Sequence, residues 1–139
     1  MEQNLPLIMN KKGSDNFQTP PIALNCLLKF IPKNFVVWEC ACGKGNLAKN
    51  LREREFTVVD SDILDGRDFL TWQPDKFDCI ITNPPYSIKQ HFLERCYNLG
   101  KPFALLLPLA ALETQKRQNE WKKGLQLIIL DKVLMVLML

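Results

Sequence analysis

The chain has 139 residues, enough for one domain with a real core and too few for two. A hydrophobic content of 47% with 24% charged residues is that of an ordinary soluble globular protein, not of a disordered chain. The formal net charge of +3 permits contact with a polyanion without requiring one.

Met1 to Lys12 mixes polar and apolar residues without an apolar core, so no secretory signal is read there. Residues 1–18 are polar and contain a glycine, and are expected to form a loose N-terminal arm. Thr19 then offers an N-cap, and Pro20 and Pro21 stand where a helix begins. The stripe Ile22, Leu24, Leu27, Leu28 and Ile31 continues that helix until Pro32 stops it. Residues 35–40 read as the first strand, 46–54 as a short amphipathic helix and 56–59 as the second strand, with Gly43-Lys44-Gly45 in the first turn. Residues 63–72 are irregular, with one very short strand expected near Asp68. A strand over 77–82, a helix over 88–99, a strand over 103–107 and a helix over 109–122 follow.

Residues 125–139 are dense in Leu, Ile, Val and Met but are split by Asp131-Lys132. They are too short and too interrupted for a membrane span, and fit an antiparallel pair of edge strands turning at that dipeptide. The apolar run 133–139 has no polar close, which reads as an incomplete or altered C-terminal edge. The alternation of strands and helices predicts an α/β domain with a mostly parallel sheet and helices on both faces. Cys26, Cys40, Cys42, Cys79 and Cys96 show no spacing suited to zinc, so no metal site is expected. They read as reduced, mostly buried small residues, which points to the cytoplasm.

The stretch Ile80-Ile81-Thr82-Asn83-Pro84-Pro85-Tyr86-Ser87 halts a buried strand on an amide, two prolines and an aromatic ring. Proline fixes its own φ, lacks an N–H and drives the preceding residue out of helical space, so Asn83 and Pro84 are both held extended. The Asn83 side-chain oxygen and neighbouring carbonyls are then available as acceptors, and Tyr86 adds a flat apolar face. Two acceptors beside a stacking surface suit a planar group bearing an NH2; the plainer alternative is a rigid turn that ends a strand. Gly43 and Gly45 allow close approach of a ligand at the carboxyl edge of a parallel sheet, but the third glycine of a dinucleotide fingerprint and the G-K-[ST] of a phosphate loop are both missing. An acid stands there instead, Glu39, suited to an ammonium or sulfonium. Asp60 or Asp62 after the second strand suits a ribose, and Asp68 beside Phe69 suits an adenine amine and ring. Together these acids describe a pocket for a nucleoside carrying a positively charged amino acid.

On Phe17-Gln18-Thr19-Pro20, the Glu39 to Gly45 loop, Ser61-Asp62-Ile63, Asp68-Phe69-Leu70 and Asn83-Pro84-Pro85-Tyr86, the chain resembles S-adenosylmethionine-dependent amino-methyltransferases. It is most similar to the small phage and bacterial DNA N6-adenine methyltransferases, over residues 17–112. The resemblance implies a Rossmann-like class I methyltransferase fold in one catalytic domain, 1–139, with no target-recognition domain. It implies S-adenosylmethionine as cofactor, DNA as partner and methyl transfer to the N6 amine of adenine. Gln18, Thr19 and Pro20 would border the methionine end, and Glu39, Ala41, Gly43 and Gly45 would line the methionine and sugar. Asp62 would take the ribose, with Asp60 as its rival, and Asp68 with Phe69 the adenine. Asn83, which would also contact the cofactor, and Pro84 would accept the two amine hydrogens, with Pro85 and Tyr86 completing the catalytic turn and Tyr86 stacking on a base turned out of the duplex. The same signature serves methyltransferases of RNA bases and of protein glutamine, and a cofactor-binding module without catalysis is the remaining alternative. His91 and the run Lys116-Arg117 with Lys122-Lys123 are read as surface residues.

Overall fold

The computed structural model describes residues 21–108, 126–130 and 133–138. The expected arm, the Thr19 cap, the helix over 109–122 and the turn at Asp131-Lys132 lie outside those residues. In chain order the elements are α1 (Pro21–Leu28), β1 (Val36–Glu39), α2 (Asn46–Glu53), β2 (Thr57–Asp60), a 3-10 turn (Ile63–Asp65), β3 (Cys79–Thr82), a second 3-10 turn (Tyr86–Ile88), α3 (Lys89–Leu99), β4 (Phe103–Pro108), β5 (Gln126–Leu130) and β6 (Val133–Met138). The strands form one sheet in the order β2-β1-β3-β4-β6-β5. The first four are parallel, and β6 runs antiparallel to both β4 and β5.

β1, β3 and β4 are buried on both sides, and their successive residues fall alternately into two clusters. Val37, Cys79, Ile81, Ala104 and Leu106 pack under Leu24 and Leu27 of α1 and Leu47 and Leu51 of α2. Trp38, Ile80, Phe103, Leu105 and Leu107 pack under Phe92, Leu93 and Cys96 of α3. A strand covered on both faces reads as an unbroken apolar run, which is why these segments were visible in the sequence. On the α3 side Trp38, fully buried, meets Phe69, Trp72 and Phe77 edge-on at centroid distances of 5.1, 5.9 and 5.0 Å. Its indole N–H donates to the buried Ser61 hydroxyl at 2.8 Å, so the one polar atom of the ring is satisfied.

The structure departs from the sequence expectations in several places. No strand forms near Asp68. Its carboxylate accepts the Leu70 N–H at 3.0 Å and its carbonyl accepts from Thr71 and Trp72, so the chain turns there instead of extending. The antiparallel pair β5–β6 is present, but β6 lies inside the sheet and only β5 is at its edge. α1 ends at Leu28, with Phe30 and Ile31 closing a turn back onto Leu27 and Leu28. α3 begins at Lys89, one 3-10 turn after Tyr86. No helix among the described residues is long and apolar enough to cross a membrane.

One cap carries strain. Glu55 follows α2 with a φ of 69°, while its N–H bonds the Arg52 carbonyl and the Phe56 N–H bonds that of Leu51. This is the Schellman arrangement, whose left-handed position favours glycine, and Phe56 and Leu51 share a core cluster beneath it. Left-handed geometry costs a side chain about 1–2 kcal/mol, and the greater freedom of glycine in the unfolded chain returns part of that. Glu55→Gly is therefore expected to raise the urea midpoint by the equivalent of about 0.5–1 kcal/mol. An unchanged or lowered midpoint would show that the exposed Glu55 side chain contributes more than its backbone costs.

Candidate functional site

Because β1 to β4 are parallel, their carboxyl ends lie along one edge of the sheet, where the loops converge. The expected site residues within the described chain all come from that edge. Glu39 ends β1 and pairs in register with Asp60 at the end of β2, and Thr82 at the end of β3 leads directly into Asn83. Gln18, Thr19 and Pro20 lie outside the described residues.

The loop after β1 is shaped by glycine and anchored by carboxylates. Gly43 and Gly45 have φ of 51° and 87°, left-handed values that side chains resist, and Gly45 caps α2. The Gly43 N–H donates to Asp62 Oδ2 at 2.8 Å, and the Leu64 N–H donates to Asp62 Oδ1 at 3.0 Å. A single carboxylate, 6% exposed, thus ties the glycine loop to the turn after β2. Asp60 takes a different course: its Oδ2 pairs with Arg52 of α2 at 3.2 Å on the solvent side. Of the two rivals, Asp62 is the one that faces the glycine loop. Glu39 is 2% exposed, and its Oε1 accepts both the Ala41 N–H at 3.0 Å and the Thr82 hydroxyl at 2.5 Å.

Between these loops lies a shallow cleft lined by Cys40, Ala41, Asp62, Ile63, Asp68, Phe69, Pro85, Ile88 and Phe92. Its floor is apolar, and two carboxylates stand on its wall. Phe69 forms the floor from within the core, 2% exposed and 4.6 Å from the ring of Phe92. The cleft therefore brings together Ala41, Asp62, Asp68, Phe69 and Pro85 from the segments that follow β1, β2 and β3. Ile88 and Phe92 were not singled out from the sequence, because an isolated apolar residue beside a loop carries no signal that distinguishes a cleft wall from core.

The segment Asn83-Pro84-Pro85-Tyr86 leaves β3 extended, with Pro85 at φ −60° and ψ 121°, and passes into the 3-10 turn. Pro84 is buried, while Asn83 and Tyr86 are half-buried. Among the described residues neither the Asn83 side chain nor the Pro84 carbonyl takes part in a hydrogen bond, so both acceptors are open. Burial pushes the Tyr86 phenol above its ordinary value, so the ring stays neutral at physiological pH. Lys89 Nζ donates to the Tyr86 carbonyl at 3.0 Å and closes the turn that carries the ring. His91 is exposed, and its Nδ1 lies 3.9 Å from Glu94 Oε1. All five cysteines are free thiols; burial pushes Cys40 well above the ordinary thiol range and Cys79 up to about 12, so neither ionises at neutral pH.

No protein-family model matches the chain, and no curated protein matches it in sequence. Solved structures do match it in fold. A TehB-like SAM-dependent methyltransferase from Corynebacterium glutamicum superposes with a TM-score of 0.58 at 12% identity, over 98% of this chain and 97% of that one. The 23S rRNA methyltransferase ErmE gives 0.56 at 16% identity over 87% and 68%. A release-factor-specific protein-(glutamine-N5) methyltransferase from Alicyclobacillus acidocaldarius gives 0.50 at 19% identity over 84% and 86%. The fold is the α/β, Rossmann-like class I methyltransferase fold.

Proposed function

We propose that this chain is an S-adenosylmethionine-dependent N-methyltransferase whose target is the N6 amine of adenine in DNA, with residues 1–139 acting as one catalytic domain. The observation that carries the reading is the pair of open acceptors, Asn83 and Pro84, at the carboxyl end of β3 and next to a cleft with an apolar floor and two carboxylates on its wall. The fold supports it, since the structures similar to this chain include a SAM-dependent methyltransferase, a 23S rRNA methyltransferase and a protein-(glutamine-N5) methyltransferase.

The residues present fit the cofactor. The apolar floor formed by Phe69, Ile88 and Phe92 suits the adenine ring, and Asp68 on the wall suits its amine. Asp62 suits the ribose hydroxyls, the Gly43 and Gly45 backbone allows close approach, and the buried Glu39 supplies negative charge near the methionine end. When bound, S-adenosylmethionine supplies an electrophilic methyl group on a sulfonium. The Asn83 oxygen and the Pro84 carbonyl accept the two hydrogens of the target amine, which directs the nitrogen lone pair outward and raises its nucleophilicity. The protein contributes position and a fixed electrostatic field; a strong base is not required, because the amine proton leaves after transfer. Tyr86 stacks on the planar target.

The deciding experiment is transfer from labelled cofactor to unmethylated DNA, RNA and peptide pools, followed by identification of the modified nucleoside or residue. N6-methyladenine in DNA is the expected product. Label in rRNA-like RNA or in a glutamine amide would redirect the same chemistry to the substrates named for the ErmE and release-factor enzymes. No label in any pool and no thermal shift with cofactor would leave a rigid turn at the end of a strand. Tyr86→Ala is expected to weaken substrate binding by about 1–3 kcal/mol, as loss of one stacking face does. Tyr86→Phe, which keeps the face and loses a hydroxyl that makes no hydrogen bond among the described residues, is expected to change KM less than threefold, which steady-state kinetics on the accepted substrate would check.

A further inference from the structure

We infer that Thr82 is a positioning residue that joins the target-amine acceptors to the cofactor loop through the Glu39 carboxylate, an inference that rests on the N-methyltransferase reading. Thr82 is the last residue of β3 and the one directly before Asn83. Its side chain is 1% exposed and Glu39 is 2% exposed, so neither has water to turn to. The Thr82 hydroxyl donates to Glu39 Oε1 at 2.5 Å, and the same oxygen accepts the Ala41 N–H at 3.0 Å. β1 and β3 are adjacent, with Trp38 opposite Ile80, so Glu39 and Thr82, one and two residues further on, lie close together, offset by one residue, where the two strands end. Two hydrogen bonds therefore connect Asn83, through the residue before it, to Ala41 on the cleft wall.

A hydroxyl is not what packing alone would select here. The two residues before Thr82, Ile80 and Ile81, are apolar and buried, and a valine has the same shape with no polar group to satisfy. A β-branched side chain has few rotamers, and a charge-assisted bond in a dry setting selects one of them. The bond fixes the end of β3, from which Asn83 leaves, relative to the carboxylate that orients the β1 loop. A cation approaching Glu39 thereby bears on the acceptors of the amine, and cofactor and target bind as coupled ligands rather than independent ones.

The test compares Thr82→Val, which keeps shape and removes the hydroxyl, with Thr82→Ser, which keeps the hydroxyl, and places both in a cycle with Glu39→Gln. Calorimetry with S-adenosylhomocysteine and steady-state transfer to whichever DNA, RNA or peptide substrate the wild type accepts give the readouts. Thr82→Val is expected to lower kcat about 10- to 100-fold, with a smaller change in the KM of the target, as loss of a hydrogen bond to a charged group would. Thr82→Ser is expected to return to within about threefold of wild type, and the double variant to lose no more than the worse single one. Wild-type turnover in Thr82→Val, a Thr82→Ser as impaired as Thr82→Val, or fully additive losses would each overturn the inference. If Thr82→Val does not fold, Thr82→Ala against Thr82→Ser carries the same comparison. A wild-type protein that neither binds S-adenosylhomocysteine nor transfers methyl overturns the N-methyltransferase reading and this inference with it; an active wild type with an unaffected Thr82→Val overturns the inference alone.

Discussion

Asn83→Ala is expected to lower the methyl-transfer rate by about 100- to 1000-fold while leaving the affinity for S-adenosylhomocysteine within about threefold of wild type. The size follows from what the side chain does. Asn83 is half-buried and makes no hydrogen bond among the described residues, so truncating it strands no protein partner and costs little stability. Its contribution is realised only when a planar amine is present and one hydrogen needs an acceptor, and such a group acts on turnover more than on binding. The cleft itself is lined by Ala41, Asp62, Asp68, Phe69 and Pro85 among others, not by Asn83, so cofactor contacts survive the change. Asn83→Asp keeps an acceptor oxygen and should lose less than Asn83→Ala, which separates hydrogen-bond acceptance from mere space filling. Near-normal turnover in Asn83→Ala on every amine substrate that the wild type accepts would return this segment to a structural turn.

The features legible in the sequence are those that depend on residues close in the chain. β1, β3 and β4 announce themselves because both faces are covered and the apolar runs are unbroken; the glycine loop and the Asn-Pro-Pro-Tyr turn announce themselves because their backbone needs are written in residue type. The strand expected near Asp68 failed for a local reason that is harder to read. Asp68-Phe69-Leu70 has the look of a strand end, but the Asp68 carboxylate is within reach of the Leu70 N–H and captures it. The choice between Asp60 and Asp62 could not be made from sequence, because two residues apart on an extended segment they project to the same side. Arg52, eight positions before Asp60 on α2, draws Asp60 outward and leaves Asp62 to the Gly43 loop. The place of β6 within the sheet and the bond from Thr82 to Glu39 are long-range facts, set by which strands become neighbours, and no local pattern encodes them.

Asp62→Ala is expected to abolish cofactor binding in practice, lowering the affinity for S-adenosylhomocysteine by at least about 100-fold, and to lower the melting temperature as well. Two consequences combine. The carboxylate accepts the Gly43 and Leu64 N–H groups, and each charge-assisted bond contributes roughly 1.5–3 kcal/mol. Alanine leaves both donors without their acceptor, so the left-handed turn at Gly43 and the 3-10 turn from Ile63 lose the link between them. The same substitution removes the carboxylate proposed to take the ribose hydroxyls. Asp62→Asn keeps one acceptor oxygen but points an NH2 at one of the two donors, so an intermediate loss is expected. Asp60→Ala supplies the control: its pair with Arg52 is at the surface, with side chains 39% and 48% exposed, and such pairs contribute little. Calorimetry and thermal shift on the three variants make the comparison, with Asp60→Ala expected within about threefold of wild type. A greater loss in Asp60→Ala than in Asp62→Ala would reverse the assignment, and binding within about threefold of wild type in Asp62→Ala would remove the carboxylate from the cofactor site altogether.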